Sequence, residues 1–385
     1  MVPYLRAANV KNGQLDLTDV KTMDFNPSEQ RTFSLMSGDV LVTEGSGSLG
    51  TVGASAVWNA EIDGIVCFQN TLLRLRPKPG NDPRFLMWWA RHAFGSGLFA
   101  SIADGANIYH LGADGVPTLP AAMPDARTQR ATADYLDAET ARIDRLICAR
   151  RETATLLEQR RRAAIDNALL CADAPGRRIR VKHLILGLQQ GWSPDCEARQ
   201  AEEGEWGVLK AGCANYGVFR ATENKALPPE VEPERDLEVR AGDLLVSRAN
   251  TKELLASVCI VPEVRPRLLL CDKLYRLIPS PDTDPRFLAY ALSTSDARRH
   301  IEADATGTSD SMQNISQGTI RELRVIAPLS RRAQSDIADR LDRSLGQLAV
   351  LAESTERHVA LLAERRQALI TAAVTGQIEI PGVAA

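Results

Sequence analysis

Long hydrophobic runs, paired cysteine motifs and an excess of basic charge are all missing from this sequence. Among its 385 residues, no uninterrupted apolar run approaches the ~18 residues that a membrane span requires. No charged-then-apolar signal opens the chain, so we expect a cytoplasmic location and no membrane partner. The seven cysteines form neither a CxxC pair nor a Cys/His ladder at zinc spacing, which predicts packed thiols and no metal. The formal charge of −3 means that any nucleic-acid partner must use local patches.

Motifs for nucleotide hydrolysis and base methylation are missing as well. The sequence has no GxxxxGK[ST] loop, no Asn-Pro-Pro-aromatic or Asp-Pro-Pro-Tyr stretch and no paired histidines. Residues Gly45–Gly50 formally match GxGxxG, but small and β-branched residues follow where a dinucleotide-binding fold needs a helix. We therefore expect no cofactor and no catalysis by this chain. The segment Gly45–Gly50 is interpreted either as a plain turn or as a loop that approaches a DNA backbone.

The chain repeats itself at a period of about 204 residues. The segment Gly38–Thr43 matches Gly242–Ser247 at an offset of 204, and Asp82–Leu86 matches Asp284–Leu288 at an offset of 202. Further blocks keep the same order, with offsets between 202 and 205. Ordered self-similarity of this kind indicates a tandem duplication.

Each copy begins with a stretch of mixed character. Short β-like runs such as Val40–Val42 and Leu72–Leu75 are separated by Gly, Pro and Asn. A helical segment near 84–100 follows in the first copy, and another near 286–302 follows in the second. This combination predicts a compact α+β domain in each copy.

Each copy ends in a long helix. Asp125 and Ser330 are good N-caps for the two helices, and Gly176 and Gly376 are stop signals. Each helix carries a row of mostly apolar residues, called its stripe below, with alternating spacings of four and three residues. The stripes are Leu136, Thr140, Ile143, Ile147, Arg150, Ala154, Leu157, Arg161, Ala164 and Ala168 in the first helix, and Leu341, Leu345, Leu348, Ala352, Thr355, Val359, Leu362, Arg366, Leu369 and Ala373 in the second. A sustained 3.5-residue repeat predicts a coiled coil; the alternative is that each helix packs on its own domain.

Arg161 and Arg366 interrupt the two stripes at equivalent places. Polar residues in such a seam can fix register and pairing. Their long side chains can equally extend outward to solvent or to a phosphate.

Two globular domains, each followed by a long helix, resemble the specificity subunit of type I restriction-modification enzymes. The resemblance covers essentially the whole chain. The first helix start, from Pro124 to Asp144, and the tail from Glu364 to Gly376 are similar to that family's helical segments. Gly242–Asn250 is similar to its target-recognition domains.

The resemblance implies an α+β protein with two tandem target-recognition domains separated by two long helices that form an antiparallel coiled coil. The expected parts are domain 1 over 1–124, a central helix and linker over 125–175, domain 2 over 176–328, a C-terminal helix over 329–378 and a tail over 379–385. Each domain would read one half of a bipartite double-stranded DNA target, with the helices as spacer. Modification (methyltransferase) subunits would dock on the helices, and restriction subunits would complete an ATP-dependent nuclease. The chain itself would be non-catalytic, and a modification system without a nuclease would look the same.

The first copy departs from the second at its start. The second copy carries about 30 residues, Arg178 to Val208, before Leu209, whereas only four residues precede Leu5. We therefore expect domain 1 to lack the N-terminal element that domain 2 possesses, through either a longer native chain or a trimmed form.

DNA contact divides into phosphate anchoring and base reading. Residues 142–180 hold ten arginines against five acids, net +5, which predicts either a cationic strip for DNA or a partner, or an ordinary solvated face. Base reading is expected from polar side chains in equivalent loops. The candidates are Arg6, Asn9, Lys11, Ser46, Ser48, Asn107, Tyr109 and His110 in domain 1, and Lys210, Asn215, Tyr216, Arg248, Asn250, Lys252, Ser309, Gln313 and Asn314 in domain 2. Arg6 and Lys210 can equally be a structural pair, and Arg74 and Arg276 are interpreted as structural.

Two other classes of protein remain open from the sequence. One is a coiled-coil adaptor or scaffold with no DNA role. The other is an enzyme that uses Gly45–Gly50 to bind a nucleotide. Phosphate contacts impose a steep salt dependence on DNA binding, which separates the adaptor from a DNA reader.

Overall fold

The computed structural model describes residues 1–46, 50–105, 108–170, 177–309 and 312–381. The chain divides into two compact units. Unit 1 comprises Met1–Glu152 with Thr355–Ala385, and unit 2 comprises Thr153–Ser354. Both long helices cross the boundary between the units, so each unit contains part of each helix.

The globular part of unit 1 is built from short strands and three helices. Its elements are β1 (Val2–Leu5), β2 (Val10–Lys11), β3 (Gln14–Leu15), β4 (Lys21–Met23), α1 (Pro27–Phe33), β5 (Asp39–Thr43), β6 (Gly45–Ser46), β7 (Ser55–Trp58), β8 (Cys67–Phe68), β9 (Leu72–Leu75), α2 (Pro83–Gly95), α3 (Leu98–Ser101), β10 (Ala103–Asp104) and β11 (Tyr109–Leu111). They form the sheets β7-β5-β9, β4-β1-β8 and β10-β11-β6, together with the hairpin β2-β3. The segment after Gly45–Gly50 leads into strand β7 and not into a helix, which removes the support for a dinucleotide-binding loop.

The first long helix, α4 (Ala126–Leu170), connects this part to unit 2. Unit 2 continues with β12 (Arg177–Arg180), β13 (Ile185–Gln190), β14 (Gly207–Leu209), β15 (Asn224–Ala226), β16 (Leu244–Ser247), β17 (Ala249–Asn250), β18 (Val258–Ile260), β19 (Leu268–Leu269), β20 (Leu274–Pro279), α5 (Pro285–Leu292), α6 (Ser295–Asp304), β21 (Thr306–Ser309), β22 (Met312–Asn314), α7 (Gln317–Glu322) and β23 (Arg324–Ala327). The second long helix, α8 (Arg331–Val374), follows. The helical stretches expected near 84–100 and 286–302 are therefore each split into two helices.

Unit 2 repeats the sheets of unit 1 and adds strands. Its sheets are β13-β20-β16-β18, β15-β14-β19, β17-β22-β21 and β12-β23. The sheet of β16 matches that of β5, but β13 extends it along β20, whereas β9 in unit 1 pairs only with β5 among the described strands. Strand β13 and most of β12 lie in the segment Arg178 to Val208, which precedes Leu209.

The central strand of each unit is buried on both faces, which explains its uninterrupted apolar sequence. Val40 and Val42 of β5 pack into one core cluster with α2 and the long helices, while Leu41 packs into a second cluster with Leu5. In unit 2, alternate residues of β16 divide between two clusters in the same way. This alternation follows from the two-residue period of a strand.

The ends of the long helices are set by the residues that the sequence indicates. The carboxylate of Asp125 accepts hydrogen bonds from the backbone N–H groups of Arg127 and Thr128 at 2.8 and 3.1 Å. The Ser330 hydroxyl accepts one from the N–H of Ala333 at 3.2 Å. Gly376 follows the end of α8 with φ +72°, the conformation that stops a helix. Gly176 lies outside the described residues.

The two long helices pair antiparallel. In unit 1, Ala133 and Leu136 near the start of α4 share a core with Ile370 and Ala373 near the end of α8. In unit 2, the cluster contains the last turns of α4 and the first turns of α8, namely Ile165 and Leu169 with Ile337, Ala338, Leu341 and Leu345. The antiparallel coiled coil and the α+β fold class are confirmed. The alternative of one helix for each domain is wrong, because each unit buries parts of both helices.

The predicted stripes are the covered faces of these helices. All ten members of the second stripe are buried or half-buried, and in the first stripe only Arg150 is exposed. Of the two interrupting arginines, Arg366 makes an ion pair with Asp144 at 2.5 Å inside unit 1. Arg161 lies 3.6 Å from Glu158 on its own helix in unit 2.

Candidate nucleic-acid interface

A small three-stranded sheet in unit 1 brings together several of the candidate base-reading residues. Strand β11 lies between β10 and β6. Its Tyr109 is paired with Ser46, and its His110 is paired with Gly45. His110 is exposed, whereas Tyr109 and Ser46 are half-buried. The Ser46 hydroxyl contacts that of Thr51.

Unit 2 contains the same sheet, made by β17, β22 and β21. Gln313 of β22 is paired with Asn250 of β17, and Asn314 is paired with Ala249. Asn250, Gln313 and Asn314 are all half-buried. Asn250 and Gln313, 63 residues apart in the chain, therefore share one face of this sheet, whereas Asn314, paired with Ala249, lies on the opposite face.

The two small sheets can be superimposed residue by residue through their strand pairing. Ser46 occupies the position of Asn250, Tyr109 that of Gln313, and His110 that of Asn314, each at an offset of 204. Lys11 and Asn215 are also 204 residues apart. At all four positions the side chains differ in hydrogen-bonding chemistry. The duplicated scaffold thus presents two unlike polar surfaces.

A glycine in each hairpin allows these sheets to form. A Cβ at Gly105 would lie 1.9 Å from the carbonyl oxygen of Ile108, and one at Gly307 would lie 2.5 Å from that of Met312. Both glycines also have positive φ, +133° and +157°. The sequence reasoning missed both, although their equivalent positions in the repeat were a usable signal.

Arg6 and Lys210 form equivalent ion pairs near the surface. The Arg6 guanidinium lies 2.5 Å from a carboxylate oxygen of Asp19, and Lys210 Nζ lies 3.9 Å from Glu223. The hydrogen bond from Lys21 and the nearby positive charges hold the pKa of Asp19 below its usual value. Neither cation is buried: the side chain of Arg6 is 30% exposed and that of Lys210 is 44% exposed.

Asn9 has a structural role. Its side chain is buried, and its amide donates to the backbone carbonyls of Asp16 and Asp19 at 2.9 and 3.1 Å. Its Oδ1 accepts from the N–H of Arg6 at 3.1 Å. The amide is therefore fully used in holding the loop that presents Lys11, which is exposed.

In unit 2, an amide network links the loop of Asn215 to the small sheet. Asn250 Nδ2 donates to Asn215 Oδ1 at 3.0 Å and to Ser247 Oγ at 3.2 Å. Nearby, Arg248 donates to the carbonyl of Asp272 at 3.3 Å. Lys252 is exposed.

Four of the candidates cannot be placed in full. Ser48 and Asn107 lie outside the described residues. The backbone of Tyr216 lies in the short 3₁₀ helix Ala211–Gly217 and that of Ser309 in strand β21, but their side chains are outside what the structure describes.

Arg74 and Arg276 are structural, as interpreted from the sequence. Arg74 donates to the carbonyls of Thr32 and Ser34 and lies over the Phe68 ring at 5.2 Å. Arg276 is buried and pairs with Asp243 at 2.8 Å. In unit 1 the aspartate equivalent to Asp243 is bound by a different arginine, Arg76.

Several arginines of the basic stretch 142–180 pair with acidic side chains. Glu158 contacts both Arg161 and Arg162, Arg142 lies 4.0 Å from Glu139, and Arg178 and Arg180 pair with Asp296 and Glu322. Six arginines of the described part of this stretch are exposed: Arg142, Arg145, Arg150, Arg151, Arg160 and Arg177.

Other kinds of site do not emerge from the described residues. No cluster of three His, Cys, Asp or Glu side chains suited to a metal ion is found among them. None of the described helices is both long and apolar enough to cross a bilayer. The described cysteines are free thiols, and burial raises the pKa of Cys259 to about 12, which makes that thiol unreactive.

Comparison with known proteins gives the family resemblance. No family model matches. A 151-residue segment is 32% identical to the specificity subunit of the type I restriction enzyme EcoEI from Escherichia coli, covering 39% of this chain and 25% of that protein. The StySPI specificity subunit of Salmonella potsdam is 22% identical over 369 residues, covering 93% of this chain and 77% of that protein. The EcoKI specificity subunit of Escherichia coli K12 is 21% identical over 390 residues, covering 98% and 82%.

Over most of its length this chain is similar to type I specificity subunits. One solved chain, from a study of complex assembly and conformational transition of the type I R-M system, matches with a TM-score of 0.66 at 18% identity, covering 98% of this chain and 92% of that one. That likeness supports the fold. The chain spans only a quarter of the EcoEI subunit, but about four-fifths of the other two type I specificity subunits.

Proposed function

We propose that this chain is the non-catalytic DNA-sequence-specificity subunit of a type I restriction-modification complex. Each unit reads one half of a bipartite duplex target through its small three-stranded sheet and the adjacent loop. The proposal rests on one observation: equivalent positions of the duplicated scaffold carry unlike side chains. Unit 1 has Ser46 where unit 2 has Asn250, and Tyr109 where unit 2 has Gln313. Equivalent scaffolds favour similar docking on both half-sites, and unlike polar groups favour unlike half-site sequences.

The candidate DNA-contacting residues divide by role. Side chains on the small sheets are suited to base edges, since amides, hydroxyls and an imidazole can match a donor and acceptor pattern. Lys11 and the exposed arginines of α4 carry positive charge, which is suited to phosphates. We assign His110, Tyr109 and Ser46 to one half-site, and Asn215, Asn250, Gln313 and Asn314 to the other.

The long helices have two roles in this proposal. The two continuous helices, of 45 and 44 residues, form a stiff spacer. This spacer sets the distance between the two DNA half-sites. Its exposed surface is the docking site for modification subunits, and restriction subunits complete the nuclease. A net charge of −3 gives the chain no overall electrostatic attraction to DNA, so the modification subunits are expected to supply positive charge.

The test is a gel-shift titration of duplex DNA with the full chain alone and with its modification subunits. We expect weak binding by the chain alone and tight, sequence-specific binding by the assembly. The affinity of the assembly should fall steeply between 50 and 200 mM salt, because phosphate contacts release counterions. Binding that is independent of salt, or no binding by the assembly, would favour an adaptor without a DNA role.

A further inference from the structure

The orientation of the Asn250 side chain is determined by a backbone group. The N–H of Thr251 donates to Asn250 Oδ1 at 2.9 Å. A backbone N–H can only donate, so the oxygen of the amide must face it. The Nδ2 group of Asn250 therefore points the other way, towards Ser247 and Asn215.

The orientation of Asn215 follows from that of Asn250. Because Nδ2 of Asn250 is a donor, the atom of Asn215 that meets it at 3.0 Å must be the oxygen. Ser247, which receives the other hydrogen bond, is fully buried and anchors the network in the core. The backbone carbonyl of Asn215 is held in addition by Arg220 at 3.2 Å.

These contacts fix which way the two ends of the Asn215 amide face. Its Oδ1 faces Asn250 and accepts a hydrogen bond there, whereas its Nδ2 has no acceptor within the part of the chain that the structure describes. Asn215 is half-buried, in the short 3₁₀ helix Ala211–Gly217 beside the small sheet of unit 2. It therefore has two N–H donors available for a ligand, while its oxygen is turned towards Asn250.

We infer that Asn215 is a specificity-determining residue that reads a base by donation only, and that Asn250 is the positioning residue that enforces this. The inference rests on the proposed function of unit 2. An asparagine normally reads adenine with both its oxygen and its nitrogen, accepting from N6 and donating to N7. With its oxygen held by Asn250, Asn215 favours a base edge that carries acceptors. Guanine fits best, because O6 and N7 are both acceptors, and thymine O4 is the next choice.

Unit 1 does not contain this device. Lys11 and Ser46 stand where unit 2 has Asn215 and Asn250. A lysine ammonium is always a donor and needs no neighbour to orient it. The hydrogen bonds of Asn250 with Thr251, Ser247 and Asn215 therefore make unit 2 differ from unit 1 in the groups that it offers to DNA.

Two substitutions should reverse the base preference attributed to Asn215, from a base that accepts hydrogen bonds to one that donates them. In Asn250→Asp, the introduced carboxylate still accepts from Thr251, but it also accepts from Nδ2 of Asn215 and so turns the Asn215 carbonyl outward. In Asn215→Asp, one carboxylate oxygen accepts from Asn250 and the other faces outward. Both variants should then prefer a base with an exposed donor, cytosine N4 or adenine N6, at the same position.

The experiment is enrichment of a randomised duplex library by the full chain together with its modification subunits, followed by sequencing. We expect the wild type to enrich guanine or thymine at one position of one half-site. Either aspartate variant should replace it there with cytosine or adenine, with a change of about tenfold or more in relative preference. All other positions should be unchanged. If one variant does not fold, the other gives the same test.

Ser46→Asp is the matched control, because it adds the same charge at the equivalent position of unit 1. Because Ser46 is assigned to the other half-site, this variant should weaken binding and affect the sequence of that half-site alone. The base preference attributed to Asn215 should be unchanged. If the wild type enriches a bipartite site but both aspartate variants retain its sequence, the inference about Asn215 is wrong and the proposed function stands. If the wild type enriches no sequence at all, the proposed function itself fails.

Discussion

The side-chain carbonyl of Gln129 accepts a hydrogen bond at 3.0 Å from the backbone N–H of Asp82, where the long helix α4 meets helix α2 of unit 1. The Gln129 amide also donates to the carbonyl of Pro124 at 2.8 Å. Gln334 on α8 makes the same two contacts, with Asp284 and Pro328, each at 2.9 Å. Both glutamines are buried. The duplication has thus preserved the joint between globular part and helix more closely than the surfaces assigned to DNA.

This joint should be important for stability. Gln334→Ala leaves a buried N–H and a buried carbonyl without partners, which costs about 1–3 kcal/mol for each unsatisfied group. The two groups that Gln129 binds are half-buried, so Gln129→Ala should cost less. We expect either variant to lower the midpoint of urea unfolding. Gln347→Ala, at an exposed position of α8, is the control and should change the unfolding free energy by less than about 0.5 kcal/mol. Equal effects of all three substitutions would contradict the structural role of the pair.

Asp284 should make part of the stability depend on pH. Burial raises its pKa, but hydrogen bonds from Ser335, Phe287 and Arg286 outweigh it and hold the pKa below the usual 3.8. A depressed folded-state pKa contributes stability above the unfolded value, and that contribution is lost as the pH falls through the folded-state pKa. Asn still caps a helix, so Asp284→Asn should remove only the contribution of the charge.

The measurement is chemical unfolding of wild type and Asp284→Asn from pH 7 downwards. The wild type should be more stable at pH 7, and the difference should shrink as the pH falls below about 4. Asp282→Asn, at an exposed position two residues earlier, is the control. A difference that stays constant from pH 7 to pH 3 would show that the carboxylate charge of Asp284 does not contribute.

The hairpin glycines should matter for DNA binding more than for the rest of the fold. A methyl group at Gly105 or Gly307 meets a backbone carbonyl, which cannot move aside as a side chain can. Gly105→Ala should therefore weaken reading of one half-site, and Gly307→Ala that of the other, in binding assays with duplexes mutated in one half. Gly80→Ala is the control, since Gly80 also has positive φ, +91°, but nothing lies within 4 Å of the added methyl group. Loss of DNA binding in Gly80→Ala would mean that backbone strain alone accounts for the effect.

Lys11 should act through charge. Lys11→Ala is expected to weaken binding of the assembly about uniformly across DNA sequences and to reduce the slope of log affinity against log salt by about 1, the amount for one lost phosphate contact. Lys78, also exposed in unit 1 and away from the small sheet in sequence, is the matched control. A Lys11→Ala variant with altered base preference and an unchanged salt slope would assign Lys11 to base reading instead.

Features that depend on neighbouring residues in the chain could be predicted from the sequence, whereas features that depend on distant partners could not. The caps Asp125 and Ser330 act on N–H groups two or three residues away, so their type and position suffice. The stripes were predicted because heptad spacing is a local pattern. The sequence makes Asn9 a candidate base reader, because no neighbouring residue in the chain indicates that its side chain is buried under a loop.

The candidate site shows the same division. The repeat indicated which loops are equivalent, and the strand pairing then brought Ser46 to Tyr109 and Asn250 to Gln313. The direction in which Asn215 presents its amide could not be predicted, because it depends on contacts with Asn250 and through it with Thr251, 35 and 36 residues away. The sequence predicts an additional segment at the start of the second copy. It does not indicate that this segment forms β12 and β13, or which strands they pair with.

The most direct test of the account compares one variant from each unit on the same enriched DNA site. Tyr109→Ala and Gln313→Ala change equivalent positions of the two small sheets. Library enrichment by the assembly should give two half-sites at a fixed spacing. Tyr109→Ala should relax the sequence preference of one half only, and Gln313→Ala that of the other half only, with the spacing unchanged. If both variants relax the same half, or if neither alters the enriched sequence, the two units do not divide the target between them.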